Sequence, residues 1–351
     1  MTAYQDLSEI SLPASHLTIG SFDGLHLGHQ ALIRSLVQGA RAEQLPSVVV
    51  TFYPHPSVVL RGRRPAFYIT LPEEKSARLS ALGVDHIVSQ KFDEALSRVT
   101  AGAFLDRLVS QLNFRRLWIG EDFALGHERE GNRLFLRREA GRRGFSLHEV
   151  APTKVGGEVV SSTRVREALR AGDVARAATY LGRPFVLRGP VVRGAARGKA
   201  LGIPTANIAL HEEQAYPAQG VYACWAELPA GRQKAVTNVG MRPTFDESLP
   251  SPVVEAHILD WDGDLYEEPI GLAFIARLRE EQRFPSKEAL VEQIRRDILQ
   301  TRDLLGSEME DDQPSPDPFR APLRDPLRDA PSGVPLRGAK TRRSATKRDA
   351  D

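Results

Sequence analysis

A short apolar run, Leu17-Thr-Ile, leads into Gly20-Ser-Phe-Asp-Gly-Leu-His-Leu-Gly-His and then into the helical pattern Gln30-Ala-Leu-Ile-Arg-Ser-Leu-Val. A strand that enters a helix through a glycine-rich turn is half of a βαβ unit, which points to a wound α/β sheet. Gly20 and Gly24 let the backbone come close to a ligand. His26, Gly28 and His29 form a His-x-Gly-His tetrad at the helix start. A helix N-terminus presents free N–H groups and positive partial charge, so it attracts phosphate. Two imidazoles there add hydrogen bonds to a phosphate whose charge grows during transfer. The plain alternative is a turn with a capping histidine. The whole tetrad behind Gly-Ser-Phe-Asp-Gly is far more specific than such a turn.

The same rhythm continues along the chain. Ser47-Val-Val-Val-Thr-Phe is short and continuously apolar, as a buried parallel strand is. Residues 73–82 read as a helix ending at Gly83. Residues 85–89, 116–120 and 146–150 read as strands, and 101–112 and 162–178 as helices. This pattern predicts a doubly wound, Rossmann-like parallel sheet with ligands beyond the carboxyl ends of its strands. Three candidate loops follow strands: residues 20–29, Tyr53-Pro-His-Pro and Glu121-Asp-Phe. Leu181-Gly-Arg-Pro-Phe breaks the pattern, so a first domain is expected over 1–180. From 186 to about 276 the chain turns to short alternating runs such as Val221-Tyr-Ala-Cys-Trp-Ala and Val253-Val-Glu-Ala-His-Ile-Leu. These predict a small antiparallel β-barrel, with an amphipathic helix over 287–304 to cover one side. That second domain is expected over 181–305. Residues 306–351 are proline-rich, highly charged and poor in apolar side chains, so a disordered tail is expected, its basic end solvated rather than an RNA- or lipid-binding arm.

A chain of 351 residues agrees with two domains. A net charge of +2 is too small to imply a nucleic-acid partner. Cys224 is the only cysteine. It permits no intrachain disulfide, which fits a reducing, cytoplasmic setting. It lies in an alternating run and reads as a strand residue rather than a nucleophile. No basic segment followed by an apolar stretch opens the chain, and no window is long and apolar enough to span a bilayer, so neither a signal peptide nor a membrane partner is expected.

From residue 15 to 305 the chain resembles the bacterial bifunctional riboflavin kinase/FAD synthetase family. The resemblance rests on ordered motifs: Gly20-Ser-Phe-Asp-Gly-Leu-His-Leu-Gly-His-Gln, Thr51-Phe-Tyr-Pro-His-Pro, Gly120-Glu-Asp-Phe, Ser161-Ser-Thr-Arg-Val-Arg, Gly198-Lys-Ala-Leu-Gly-Ile-Pro-Thr-Ala-Asn, Asn238-Val-Gly-Met-Arg-Pro-Thr-Phe and Glu255-Ala-His. It implies a C-terminal kinase that converts riboflavin and ATP to FMN and ADP. It also implies an N-terminal FMN adenylyltransferase that converts FMN and a second ATP to FAD and pyrophosphate. Both reactions would use Mg2+.

Adenylyl transfer has an FMN phosphate attack the α-phosphorus of ATP. An ionised phosphate needs no general base, so positioning and charge stabilisation carry the step. The resemblance assigns His26 and His29 to catalysis, and Gly20, Ser21, Phe22, Asp23, Gly28, Ser162, Thr163 and Arg166 to ATP. Asp23 either orients the loop or binds through magnesium, or simply forms an Asx-turn. Ser162 and Thr163 are placed to cap the helix that follows, with Arg166 one turn in, gripping phosphates or merely solvated. Asp122 and Phe123 are expected to line the flavin or nucleotide pocket. His55 either reaches the flavin phosphate or shapes a rigid loop. Phosphorylating an alcohol does require a proton acceptor. By resemblance that base is Glu255, with His257 either steadying it or lying in the barrel interior. Gly198 and Lys199 would hold nucleotide phosphates. Thr205 and Asn207 would bind ATP and supply oxygen ligands to Mg2+. The chain departs from the family pattern at Ser21 (commonly Asn), Leu125 (an aromatic), Lys199 (more often Arg) and Glu267 (typically Gly). A member with only one working domain is the alternative these departures raise.

Overall fold

The structure, a computed structural model, describes residues 1–62, 67–194, 198, 202–242 and 251–306. β1 (Thr2–Tyr4), β2 (Ser15–Ile19), β3 (Ser47–Tyr53), β4 (His86–Lys91), β5 (Phe114–Gly120) and β6 (Ser146–Val150) form one sheet. Their order is β1-β4-β3-β2-β5-β6, with every neighbouring pair parallel. The crossovers contain α1 (Leu27–Ala42), α2 (Pro56–Arg61), α3 (Pro72–Ala81), α4 (Glu94–Ser97), α5 (Ala101–Leu112) and α6 (Arg133–Arg143). Strand alternation sorts their packing. Val48 and Val50 join a core with Phe104, Leu105 and Leu108 of α5 and Leu136 of α6. Val49 joins Ile33, Leu36 and Val37 of α1 and Leu79 of α3 on the other face. Both faces of β3 are therefore buried, which is why its sequence is continuously apolar. β3 and β4 lie to one side of β2, β5 and β6 to the other. The winding reverses between β2 and β5, and ligands bind at such a switch point.

A hairpin, β7 (Lys154–Val155) and β8 (Glu158–Val159), leads into α7 (Ser162–Arg170) and α8 (Val174–Leu181). The single helix expected over 162–178 is thus two. Gly172 adopts φ 75° and the Asp173 side chain caps α8 by accepting from the Arg176 N–H, so one helix stops and another starts within three residues.

Six further strands close into an antiparallel barrel: β9 (Phe185–Val192), β10 (Ala206–Ile208), β11 (Gly220–Leu228), β12 (Gly231–Arg242), β13 (Ser251–Ile258) and β14 (Pro269–Arg279). Around the wall the order is β10-β13-β12-β11-β14-β9, and β9 pairs back to β10. Tyr222, Cys224 and Ala226 alternate into one apolar core with Phe185, Leu187 and Phe274. Trp225, on the opposite face of β11, packs with Leu305 of α9 (Lys287–Gly306), the helix that covers the barrel. Burial pushes the Cys224 thiol up to about 12, as expected of a strand residue that does no nucleophilic work. α7 and α8 share this barrel core through Val165, Leu169, Ala177, Tyr180 and Leu181. β1 and the β7–β8 hairpin have three and two residues per strand, too short to show a period. The tail expected to be disordered lies outside the described residues, apart from Gly306.

Candidate active sites

The first constellation sits at the carboxyl end of β2. His26 is the N-cap of α1, and its Nδ1 accepts from the His29 N–H at 3.3 Å. Nδ1 therefore carries a lone pair, and the neutral ring holds its proton on Nε2. The His26 and His29 rings stack, centroids 3.6 Å apart, and Phe22 meets His29 edge-on at 5.2 Å. A Cβ on Gly28 would lie 3.2 Å from the His26 ring, so a small residue there lets the imidazole fold over the helix end. Helix geometry leaves the Leu27 and Gly28 N–H groups without intrahelical acceptors. Burial holds the His26 imidazole down at about 4, partly opposed by Asp23. Burial, followed by His26, Lys75 and Arg166, holds His29 well below the usual histidine range. Both rings are neutral at pH 7. Among the described residues, buried His29 Nδ1 finds no hydrogen-bond partner.

The loop is held in a strained form. Phe22 and Leu25 have φ of 48° and 38°, and each is 2% exposed. A left-handed residue other than glycine costs roughly 1–2 kcal/mol, while burying a large apolar side chain returns roughly 1.5–3 kcal/mol. Burial therefore keeps the loop in place.

Of the readings of Asp23, the contacts it makes are those of a residue that orients the loop. Its carboxylate accepts from the Ile69 and Thr70 N–H groups at 3.0 and 3.1 Å and pairs with the Arg166 guanidinium. Arg166 is neither solvated nor on the surface. It is 5% exposed, donates to the Phe67 carbonyl at 2.8 Å and lies 3.8 Å from the centre of the Phe67 ring. The cap of α7 is Ser161, which accepts from the Arg164 N–H, and not the Ser162/Thr163 pair. Ser162 instead donates to the Asp23 carbonyl at 2.8 Å, and Thr163 is exposed. His55 caps α2 by accepting from the Ser57 N–H at 3.0 Å, and its ring meets Phe67 edge-on at 4.9 Å. The tetrad, Asp23, Ser162, Arg166 and His55 thus form one connected group.

Lys75 belongs to this group and was missed. It is 4% exposed, and its Nζ donates to the Ser21 carbonyl at 3.2 Å, Thr51 Oγ1 at 3.0 Å and the Phe52 carbonyl at 3.4 Å. It staples the loop after β2 to the end of β3. Burial pushes its ammonium down to about 8 against the pull of Asp23 and Glu73. One signal was available: a lysine near a helix N-terminus opposes the helix dipole and so calls for another reason to be there.

Asp122 and Phe123 follow β5, on the other side of the switch point. Asp122 is exposed, and its carbonyl accepts from Arg129 at 2.8 Å. Phe123 packs on the α5 core. Among the described residues neither makes a hydrogen bond or ring contact with the histidine group. Leu125 is 7% exposed and pairs with the Gly131 backbone, so it is a core residue.

The second constellation lies on the barrel wall. Glu255 of β13 stands opposite Asn207 of β10 on one side and Asn238 of β12 on the other. Directly opposed residues on antiparallel strands share a face, so the carboxylate is flanked by two amides. Val254, Ala256 and Ile258 fill the interior, and Glu255 and His257 face outward, half-buried. His257 is therefore not a barrel-interior residue. Its Nδ1 donates to the Pro204 carbonyl at 2.8 Å and so fixes the chain just before Thr205. Asn238 donates to Glu281 Oε1 at 3.2 Å. A Cβ on Gly198 would lie 3.3 Å from Thr205 Oγ1, and one on Gly194 would overlap the Asn207 amide. The backbone at Gly194 and that at Gly198 thus each approach one of these side chains closely. Lys199 lies outside the described residues. Among those residues no group of three or more His, Cys, Asp or Glu is placed to hold a metal. The Thr205 hydroxyl and Asn207 amide offer hard oxygen donors, the type Mg2+ takes when phosphates complete its shell.

Residues 9–164 match the family model described as FAD synthetase, and residues 181–305 the one described as riboflavin kinase. The chain is 37% identical over 304 residues to the bifunctional riboflavin kinase/FMN adenylyltransferase of Escherichia coli K12, covering 86% of this chain and 96% of that one. It is 34% identical over 286 residues to the Bacillus subtilis protein of the same name, covering 81% and 90%. A crystal structure described as a macrolide-efflux protein from Streptococcus pneumoniae matches with a TM-score of 0.78 at 31% identity, covering 86% of this chain and 98% of that one. Among the described residues no helix is long and apolar enough to cross a membrane.

Proposed function

The chain belongs to the bifunctional riboflavin kinase/FMN adenylyltransferase family, and from that membership we propose how its own side chains divide the work. It makes FMN from riboflavin and ATP, and FAD from FMN and a second ATP. The observation that carries the division is the stacked, neutral His26–His29 pair at the start of α1.

In the parallel-sheet half, the ATP phosphates lie against the α1 N-terminus. His26 Nε2–H and His29 donate to the α-phosphate as an FMN phosphate oxygen attacks it and pyrophosphate leaves. Neutral rings suit this role, because they stabilise growing charge by hydrogen bonding and have no proton to lose near pH 7. Gly20, Ser21, Phe22 and Gly28 shape the cradle. Ser162 and Thr163 face the nucleotide from the start of α7, and Asp23 and Arg166 hold cradle and helix together. His55, Asp122 and Phe123 contact the flavin side.

In the barrel half, the Glu255 carboxylate takes the proton of the terminal ribityl hydroxyl while that oxygen bonds to the γ-phosphorus and ADP leaves. Gly198 and Lys199 receive the nucleotide phosphates, and Thr205 and Asn207 would hold Mg2+. When bound, the ion neutralises phosphate charge. Incubating the chain with riboflavin, ATP and Mg2+ and separating the products tests the reading. FMN should rise first and FAD follow, and chelation should stop both. FMN without FAD would identify a member that has lost adenylyl transfer.

A further inference from the structure

The loop assigned above to the flavin does not stand on the parallel-sheet half alone. Tyr53 ends β3, immediately before Pro54 and His55, and its hydroxyl donates to Glu213 Oε2 at 2.8 Å. Glu213 lies between β10 and β11, within the region matched by riboflavin kinase. Its backbone carbonyl accepts from both the Phe67 and Tyr68 N–H groups, at 2.8 and 2.9 Å. Ala215 N–H donates to the Tyr68 carbonyl at 2.8 Å, so this barrel segment runs beside residues 67 and 68 as a short parallel bridge. The Tyr68 hydroxyl accepts from the His55 N–H at 2.6 Å, and its ring lies 5.7 Å from that of Tyr53. Residues 67–70 are the strap that Asp23 and Arg166 grip from the other side. Glu213 thus holds the His55 loop through Tyr53 and the strap through its own carbonyl.

From this geometry we infer that Glu213, a barrel residue, is a positioning residue for FMN in adenylyl transfer. It acts by fixing Tyr53 and, through the strap, the His55 loop. The carboxylate and phenol face each other half-buried, and burial together with Glu213 keeps the Tyr53 phenol protonated far above neutral pH. The hydrogen bond is therefore made at any working pH. A hydrogen bond to a charged acceptor is worth enough that its loss should weaken FMN binding about tenfold. This inference rests on the His55 loop being part of the flavin site.

The test uses the full-length chain. KM and kcat are measured for FAD formation from added FMN, and for FMN formation from riboflavin, in Glu213→Ala, Glu213→Gln, Tyr53→Phe, the Glu213→Ala/Tyr53→Phe double variant and His55→Ala. The expected result has three parts. KM for FMN rises about tenfold in Glu213→Ala and in Tyr53→Phe, with kcat changed less than about threefold. The double variant is no worse than either single one, and Glu213→Gln, which keeps an acceptor, recovers most of the loss. FMN formation from riboflavin is unchanged throughout. An unchanged KM for FMN in both single variants overturns the inference, as do effects that multiply in the double variant or an equal loss of both activities. If His55→Ala leaves KM for FMN unchanged, the flavin reading of that loop fails and the inference with it. If His55→Ala raises it and Glu213→Ala does not, only the inference fails.

Discussion

At the start of α1, two side chains that usually titrate near neutrality are held neutral by burial. The ordinary histidine value is 6.5, and His26 lies at about 4 in the folded chain. An unfolded chain protonates this ring as pH falls below 6.5, and the folded chain does not until about 4. The His26 contribution to stability is therefore complete above 6.5 and is lost as pH falls towards 4, by roughly 3 kcal/mol. Denaturant unfolding of His26→Asn, which keeps a capping side chain, should show a shallower loss of stability between pH 6.5 and 4.5 than the native chain. An identical slope would mean that His26 is not held neutral. A second residue carries a different kind of cost. Glu267 is exposed at φ 67°, a left-handed conformation that favours glycine. Glu267→Gly should stabilise the chain by about 0.5–1 kcal/mol, net of the glycine entropy of the unfolded chain, and raise the thermal midpoint. A lowered midpoint would show that the glutamate side chain does more than occupy a turn. The tetrad itself was legible in the sequence because strand, turn and helix start are contiguous. The depth of its burial was not, since that depends on parts of the chain distant in sequence, the strap and α7, which Asp23 ties to this loop.

Among elements, α7 shows what local pattern can and cannot convey. Its apolar spacing and the hydroxyl run before it were readable, and the start of the helix at Ser162 follows from them. The break at Gly172 lies within an otherwise helical pattern, so the run read as one helix. The role of Arg166 could not be read at all, because its partner Asp23 is 143 residues away and no spacing records such a pair. The pair ties α7 to the loop after β2 and, through Ile69 and Thr70, to the strap. Removing one charge of a buried pair costs about 3–5 kcal/mol. Asp23→Asn should destabilise the chain by that order in denaturant unfolding and depress FAD formation more than FMN formation. A variant as stable as the native chain would place the Asp23 carboxylate outside the loop's support. The parallel strands were legible for the opposite reason: burial on both faces makes each an unbroken apolar run.

Across the whole molecule, chemistry is divided and scaffold is shared. The histidine pair belongs to the sheet, and Glu255 with Asn207 and Asn238 to the barrel wall. Yet α7 and α8 bury their apolar faces in the barrel core, and Glu213 reaches 160 residues back to Tyr53. The two-domain plan was visible in the change from a βαβ rhythm to short alternating strands. The seam was not, since it consists of long-range pairs. The central claim is that each half performs one transfer with its own side chains. The most direct measurement follows both products in His29→Ala and Glu255→Ala of the full chain. His29→Ala should accumulate FMN from riboflavin and lose FAD formation by about 100-fold or more. Glu255→Ala should lose FMN formation and still convert added FMN to FAD at the native rate. Equal loss of both products in either folded variant would contradict the account.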